Sequence, residues 1–387
     1  MKTGPNERCT CGSGKKYKRC CQPKDLVAAK STEVAQVSSA PEARRMRSIP
    51  SRDLVESLGF SPGVVVAAVS VKGPFVPLHG LPAYGAAKLA EDPRLLADPK
   101  MKDLVERHLR EDWTLAKVAA MSTDAIEEQL RAGGVRYARE SFLAQASQRF
   151  SAWSFAEQWL ETDPVIWHGK KENFLGMAAC ELWKRLMPER PSMEMLDDWT
   201  QEGYALADEG HEADACDVWW RVWQHLHGRL TPQVSTTDAA GPIFQGLQRV
   251  GNWCGDFEMQ LHNAALDEPR YAQVGRQFCE EWLAQFPDED GRTIMTFTRA
   301  LGNFLLRLGD TRGEAVLVGI TERWPDSPWG YVALADEYAR QTRAGSPLPR
   351  DLARAREWLE RGLARVKEDR HALEERLRDY DDSGGKT

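Results

Sequence analysis

The sequence predicts a mainly α-helical protein, with a small cysteine-rich head, a linker, and a helical body whose second half is built of repeated hairpins. Three observations predict it. Four of the eight cysteines fall within residues 9–21. From about residue 140, apolar residues recur at helical spacing between short Gly or Pro breaks. The charge also divides sharply along the chain. Residues 1–52 carry twelve Lys or Arg against four acids, a balance of +8, which leaves −15 of the total −7 for residues 53–387. A chain of 387 residues, 42% hydrophobic and 28% charged, has the size and composition of a globular protein with a sizeable core.

The longest apolar run, "VVVAAV" at 64–69, is too short to cross a membrane. The basic N-terminus has no apolar stretch behind it and does not read as a signal peptide. The expected location is therefore the cytoplasm, where thiols stay reduced and clustered cysteines hold metal more often than disulfides.

The head is the stretch "RCTCGSGKKYKRCC", residues 8–21. Cys9, Cys11, Cys20 and Cys21 form a C-x-C pair and a C-C pair, a donor set suited to tetrahedral Zn²⁺. Gly12, Ser13 and Gly14 supply the permissive backbone for reversing direction between the pairs. Adjacent Cys20 and Cys21 need a turn or a helix start to face one ion, since a strand would point them apart. So short a segment has almost no apolar core, and the metal would have to hold its fold. The competing reading, two disulfides, meets a reducing compartment and the strain of a vicinal bond. Catalytic thiol chemistry lacks a base, because the stretch has no His.

These residues resemble the SEC-C motif, the zinc-binding tail of the preprotein translocase ATPase SecA, which also occurs on many otherwise unrelated bacterial proteins. The resemblance covers residues 4–24 and runs through Asn6, both cysteine pairs, Gly12-Ser13-Gly14, Lys15, Lys16 and Tyr17. Two prolines usual in the family are Arg8 and Thr10 here, which loosens the loop but removes no ligand. The resemblance implies Zn²⁺ on the four cysteines, and a chaperone, the protein-export machinery or the ribosome as partner. Lys15, Lys16, Tyr17, Lys18 and Arg19 would present the basic, partly aromatic face to that partner. The same face leaves nucleic-acid binding open.

Two phosphate-loop lookalikes fail. "GSGKK" at 12–16 has Cys9 where the first Gly belongs and Lys16 where Ser or Thr belongs. "GKT" at 385–387 has Tyr380 in the first Gly position.

Residues 25–52 are rich in Ser, Ala and Arg without apolar periodicity, and read as a flexible basic linker. Residues 53–195 read as a mostly helical domain of no assigned role. Within it, "GVVVAAVSV" at 63–71 fits either a buried strand or a core helix turn. Leu104, His108, Leu109, Leu115 and Val118 fall at helical spacing.

Residues 196–370 carry the hairpins. Trp199, Gly203, Leu206, Gly210, Ala215, Trp219 and Val222 lie at offsets 0, 4, 7, 11, 16, 20 and 23. This large-small-large scheme resembles a tetratricopeptide (TPR) repeat, in which small residues let two antiparallel helices approach closely. Tyr331, Leu334, Ala335 and Tyr338 repeat the first-helix spacing, followed by Ala355, Leu359, Gly362, Leu363 and Val366 from a helix beginning near Ala353. Residues 298–326 are a third, poorer copy. Such arrays bury each apolar face against its neighbours and leave a groove. Fourteen tryptophans are many for this length; Trp219 and Trp223, at i and i+4, fit core packing, and an exposed subset would line the groove. Residues 371–387 read as a charged C-terminal tail.

No metalloprotease, nucleophile-elbow or dinucleotide-binding pattern appears, and His225 and His227 read as positive complements to a helix C-terminus. The expected function is a non-catalytic zinc-binding adaptor for protein–protein interaction. The alternatives are nucleic-acid or ribosome binding through the head, and an enzyme of unknown class in the body.

Overall fold

The structure is a computed structural model, and it describes residues 113–168, 171–244, 246, 248–339 and 347–384, with scattered positions between 84 and 102. Met1–Ser48 and Ile49–Thr387 are two separate units, and every described residue belongs to the second. The cysteine head, the linker, residues 63–71, and Leu104, His108 and Leu109 lie outside the described residues.

Among the described residues all regular structure is helical, and no helix there is long and apolar enough to cross a membrane. Three apolar cores follow one another along the chain. After the short helix α1 (Pro93–Ala97), the first is built by α2 (Leu115–Ala119), α3 (Thr123–Ala132), α4 (Arg139–Ala146), α5 (Ser154–Thr162) and α6 (Asn173–Leu186), with Tyr84, Ala87 and the segments between these helices. Polar caps start two of its helices. Ser122 accepts from the Ala125 amide at 3.2 Å, and Thr114 from that of Lys117 at 3.1 Å. Ile126, Leu130, Phe142, Phe155, Phe174 and Trp183 then meet in a fully dehydrated centre.

The second core comprises α7 (Met193–Asp208), α8 (Glu212–His227), α9 (Thr237–Ala240), α10 (Val250–Asp267), α11 (Arg270–Gln285) and most of the inner face of α12 (Gly291–Arg307). Here the offsets read from the sequence become a helix hairpin. A Cβ on Gly203 would fall 2.1 Å from Nε1 of Trp219, so only glycine lets the indole lie flat across α7. That indole donates to the Thr200 carbonyl at 2.9 Å. Gly210 turns the chain between the two helices at a φ of 79°. Ala215, Trp219 and Val222 are fully buried, while Trp199 and Leu206 sit half-buried at the seam.

The expected boundary at 195/196 falls inside the first turn of α7. Glu194 is buried there, and its carboxylate accepts from Ser151 Oγ at 2.5 Å and from the amides of Ala152 and Trp153 at 2.9 and 3.1 Å. One side chain of α7 thus satisfies the free amides at the start of α5 and ties the first core to the second.

The third core joins the end of α12 to α13 (Arg312–Arg323), α14 (Pro328–Ala339), α15 (Leu352–Arg365) and α16 (His371–Gly384). Tyr331, Leu334, Ala335 and Tyr338 are buried on α14, and Ala355, Leu359 and Gly362 meet them from α15, as the spacing predicts. The segment expected as a charged tail, 371–387, begins with α16, a packed helix. Leu373 is fully buried, Leu377 and Tyr380 share its face, and Asp336 accepts from Arg376 at 3.0 Å and Tyr380 at 2.9 Å. An apolar residue every third or fourth position suffices for docking, even where every other position is charged.

Candidate functional site

Successive hairpins place α10, α12 and α14 side by side, with α16 beyond them, and these helices enclose a groove of roughly 700 Å³. Three of the five exposed large hydrophobic side chains among the described residues line it. Met259 is 50% exposed, Leu266 53% and Trp329 43%, where ordinary core packing leaves such side chains dry. Met259 and Leu266 lie seven residues apart on one face of α10, while Trp253, Phe257, Leu261 and Ala264 bury the other. Trp329 opens α14 directly after Pro328.

The polar lining is largely satisfied from within. His262 Nε2 meets Glu258 at 3.0 Å, and its ring stacks on Phe304 at 4.1 Å with planes 12° apart. Asp336 is held by Arg376 and Tyr380. The Arg299 guanidinium lies 5.8 Å from the centre of the Trp329 ring. Asn303 Oδ1 is buried in the groove wall without a hydrogen-bond partner among the described residues. The arrangement offers three exposed apolar contacts and a polar rim.

Elsewhere in the body, burial keeps the thiols protonated. Burial raises the thiols of Cys180 and Cys279 well above the ordinary range and pushes Cys216 up to about 12. No group of three or more His, Cys, Asp or Glu suited to a metal occurs among the described residues. His227 stacks on Trp223 at 5.1 Å, with Glu281 at 3.8 Å. His225 departs from the expected charge complement. Burial lowers its pKa, and Arg229 and Arg221 lower it further, so the neutral ring is favoured.

The sequence reading assigned a groove to the repeats without naming its residues. Met259, Leu266 and Trp329 were the missed ones. A second apolar stripe on α10, opposite the core stripe, was the available signal.

Comparison with known families gives one match: the SEC-C motif, at residues 6–23. The matched stretch contains Cys9, Cys11, Cys20, Cys21 and the basic run Lys15–Arg19. No curated protein and no solved structure matches the chain. The chain is thus a mainly helical protein with a repeat-like body and an SEC-C motif near its N-terminus. Four thiols with no histidine among them form a donor set that fits a soft, tetrahedral cation such as Zn²⁺.

Proposed function

We propose that this chain is a non-catalytic adaptor, with a zinc-binding head and a TPR-like body that each take up a protein partner. The observation that carries the proposal is the SEC-C match at residues 6–23, which includes all four clustered cysteines. In this reading Cys9, Cys11, Cys20 and Cys21 hold Zn²⁺ and brace a fold too short for its own core. A closed four-thiolate site leaves no open position for substrate, so the metal supports binding and not turnover. Lys15, Lys16, Tyr17, Lys18 and Arg19 then present a basic face to a chaperone, the protein-export machinery or the ribosome in the cytoplasm.

The groove supports the second contact, through Met259, Leu266 and Trp329. Two modest contacts on one chain gain avidity when both are engaged together. A second reading, nucleic-acid binding by the head, is favoured by the +8 balance of residues 1–52.

The test is affinity capture from bacterial lysate with three forms: the full chain, a chain lacking residues 1–24, and a full-length Met259→Ser/Trp329→Ser variant. Each is run with and without nuclease. The adaptor reading expects one identified chaperone, translocase or ribosomal protein to survive nuclease and vanish with the head. Capture that disappears with nuclease favours the nucleic-acid reading. A bound set unchanged in both altered forms would sink the adaptor.

A further inference from the structure

Many arginines of the body are paired with carboxylates, as Arg139 with Glu127 at 2.7 Å and Arg270 with Asp217 at 3.0 Å show. One cluster of cations is not among them. Arg221, His225 and Arg229 repeat at four-residue spacing along one face of α8 and the turn after it. Arg190 joins them from the segment before α7, close enough to depress the ionisation of Arg229. None of the four makes an ion pair among the described residues, in a body whose net charge is −15.

Arg229 is the half-buried member of the cluster's arginines. Its Nη2 donates to the Pro191 carbonyl, its plane lies 5.3 Å from the Phe150 ring centre, and its Nη1 is buried without a partner. A half-buried guanidinium whose Nη1 lacks a partner gains from an anion brought up from outside. Burial and Arg190 together bring its pKa down to about 10, and Glu194, already bonded to Ser151 and two amides, offsets this only weakly. Glu189 is the one carboxylate acting on His225 against the two arginines.

Aromatic planes alternate with these cations. The Arg221 guanidinium lies 3.7 Å from the centre of the Trp199 ring, and the His225 ring is 5.9 Å from the same indole. Phe150, beneath Arg229, is 36% exposed. Arg221 and Arg190 are themselves exposed. Guanidinium forks recognise phosphate oxygens, and an arginine already stacked on an indole offers its outer plane to a base.

We infer that this row binds a nucleoside phosphate: Arg221 takes the phosphate, Arg229 and Arg190 add positive potential, and the base stacks beside Trp199. The ligand is a nucleotide or a short single strand. A long strand would meet the acidic remainder of the body within a Debye length, roughly 8–10 Å. None of these residues lines the groove.

Photolabelling of the full chain with 8-azido-AMP, followed by peptide mapping, locates the site directly. Label is expected on peptides containing Trp199 or His225, competed by AMP and by octa-adenylate. Arg221→Gln should raise the AMP concentration needed for half-competition by about tenfold, the loss of one charge-assisted contact. Arg221→Glu should abolish labelling there, with an unchanged circular dichroism spectrum. Four results would overturn the inference. They are label confined to residues 1–52, labelling indifferent to Arg221→Glu, competition by inorganic phosphate equal to that by AMP, and displacement by polyglutamate but not by AMP. The last would assign the row to an acidic protein.

Discussion

Replacing Gly203 by Ala tests the close approach on which the α7–α8 hairpin rests. The new methyl would lie 2.1, 2.5 and 2.6 Å from three atoms of the Trp219 indole. That ring is 1% exposed and hemmed in by Tyr204 at 4.9 Å and Phe257 at 6.0 Å, so it has no free direction to move. Overpacking of this kind costs ~1–3 kcal/mol. Displacing the indole also weakens its bond to Thr200, worth ~1 kcal/mol. The better helix propensity of Ala returns ~0.5–1 kcal/mol. The net expectation is a loss of ~1–3 kcal/mol.

Urea unfolding of the full chain, followed by far-ultraviolet circular dichroism, measures that loss. Gly255→Ala in α10 is the matched control, since its Cβ would meet nothing within 4 Å. The control should gain up to ~1 kcal/mol from propensity alone. If Gly203→Ala proves as stable as wild type, or shifts in the same direction as Gly255→Ala, the hairpin does not depend on this contact and the argument fails.

Leu373→Ala, which hollows the joint between α16 and the third core, should cost ~2–4 kcal/mol in the same assay; a change under ~0.5 kcal/mol would return α16 to the status of a tail. Glu127 accepts from Arg139 at 2.7 Å, Tyr137 at 3.2 Å and Arg131 at 3.3 Å, and although burial opposes ionisation, these partners hold its pKa below the ordinary value of 4.5. Its contribution is therefore full above that value and is lost as the pH falls through the lower folded value. The stability gap between wild type and Glu127→Gln should be constant near neutrality and close on acidification. A gap that widens in acid would contradict the assignment. Protein purified without chelator should carry about one Zn²⁺ per chain by elemental analysis, and Cys20→Ser/Cys21→Ser should carry none. Equal zinc in both would remove the four-thiolate site from this motif.

The parts of this protein legible in the sequence are those whose information is local. The spacing from Trp199 to Val222 encodes a hairpin because helix period and close approach are both set by residues a few turns apart. The four head cysteines and Gly12-Ser13-Gly14 identify the SEC-C motif for the same reason, their donors being contiguous. The α16 helix was hidden by its composition, since charged residues outnumber the few apolar ones that dock it.

The groove and the cationic row were decided by tertiary structure. Met259, Leu266 and Trp329 come from different helices or opposite stripes, and only packing determines which apolar side chains remain uncovered. Arg221, His225 and Arg229 show their spacing in the sequence. Their lack of carboxylate partners depends on where Glu189, Glu194 and Asp198 are placed and engaged by distant parts of the chain. Asp198 is bound by Tyr84 at 2.7 Å and Lys88 at 2.5 Å, and Glu194 by the start of α5. A periodic pattern sets which face a side chain occupies, but its electrostatic environment is a sum over neighbours that only the folded chain brings together.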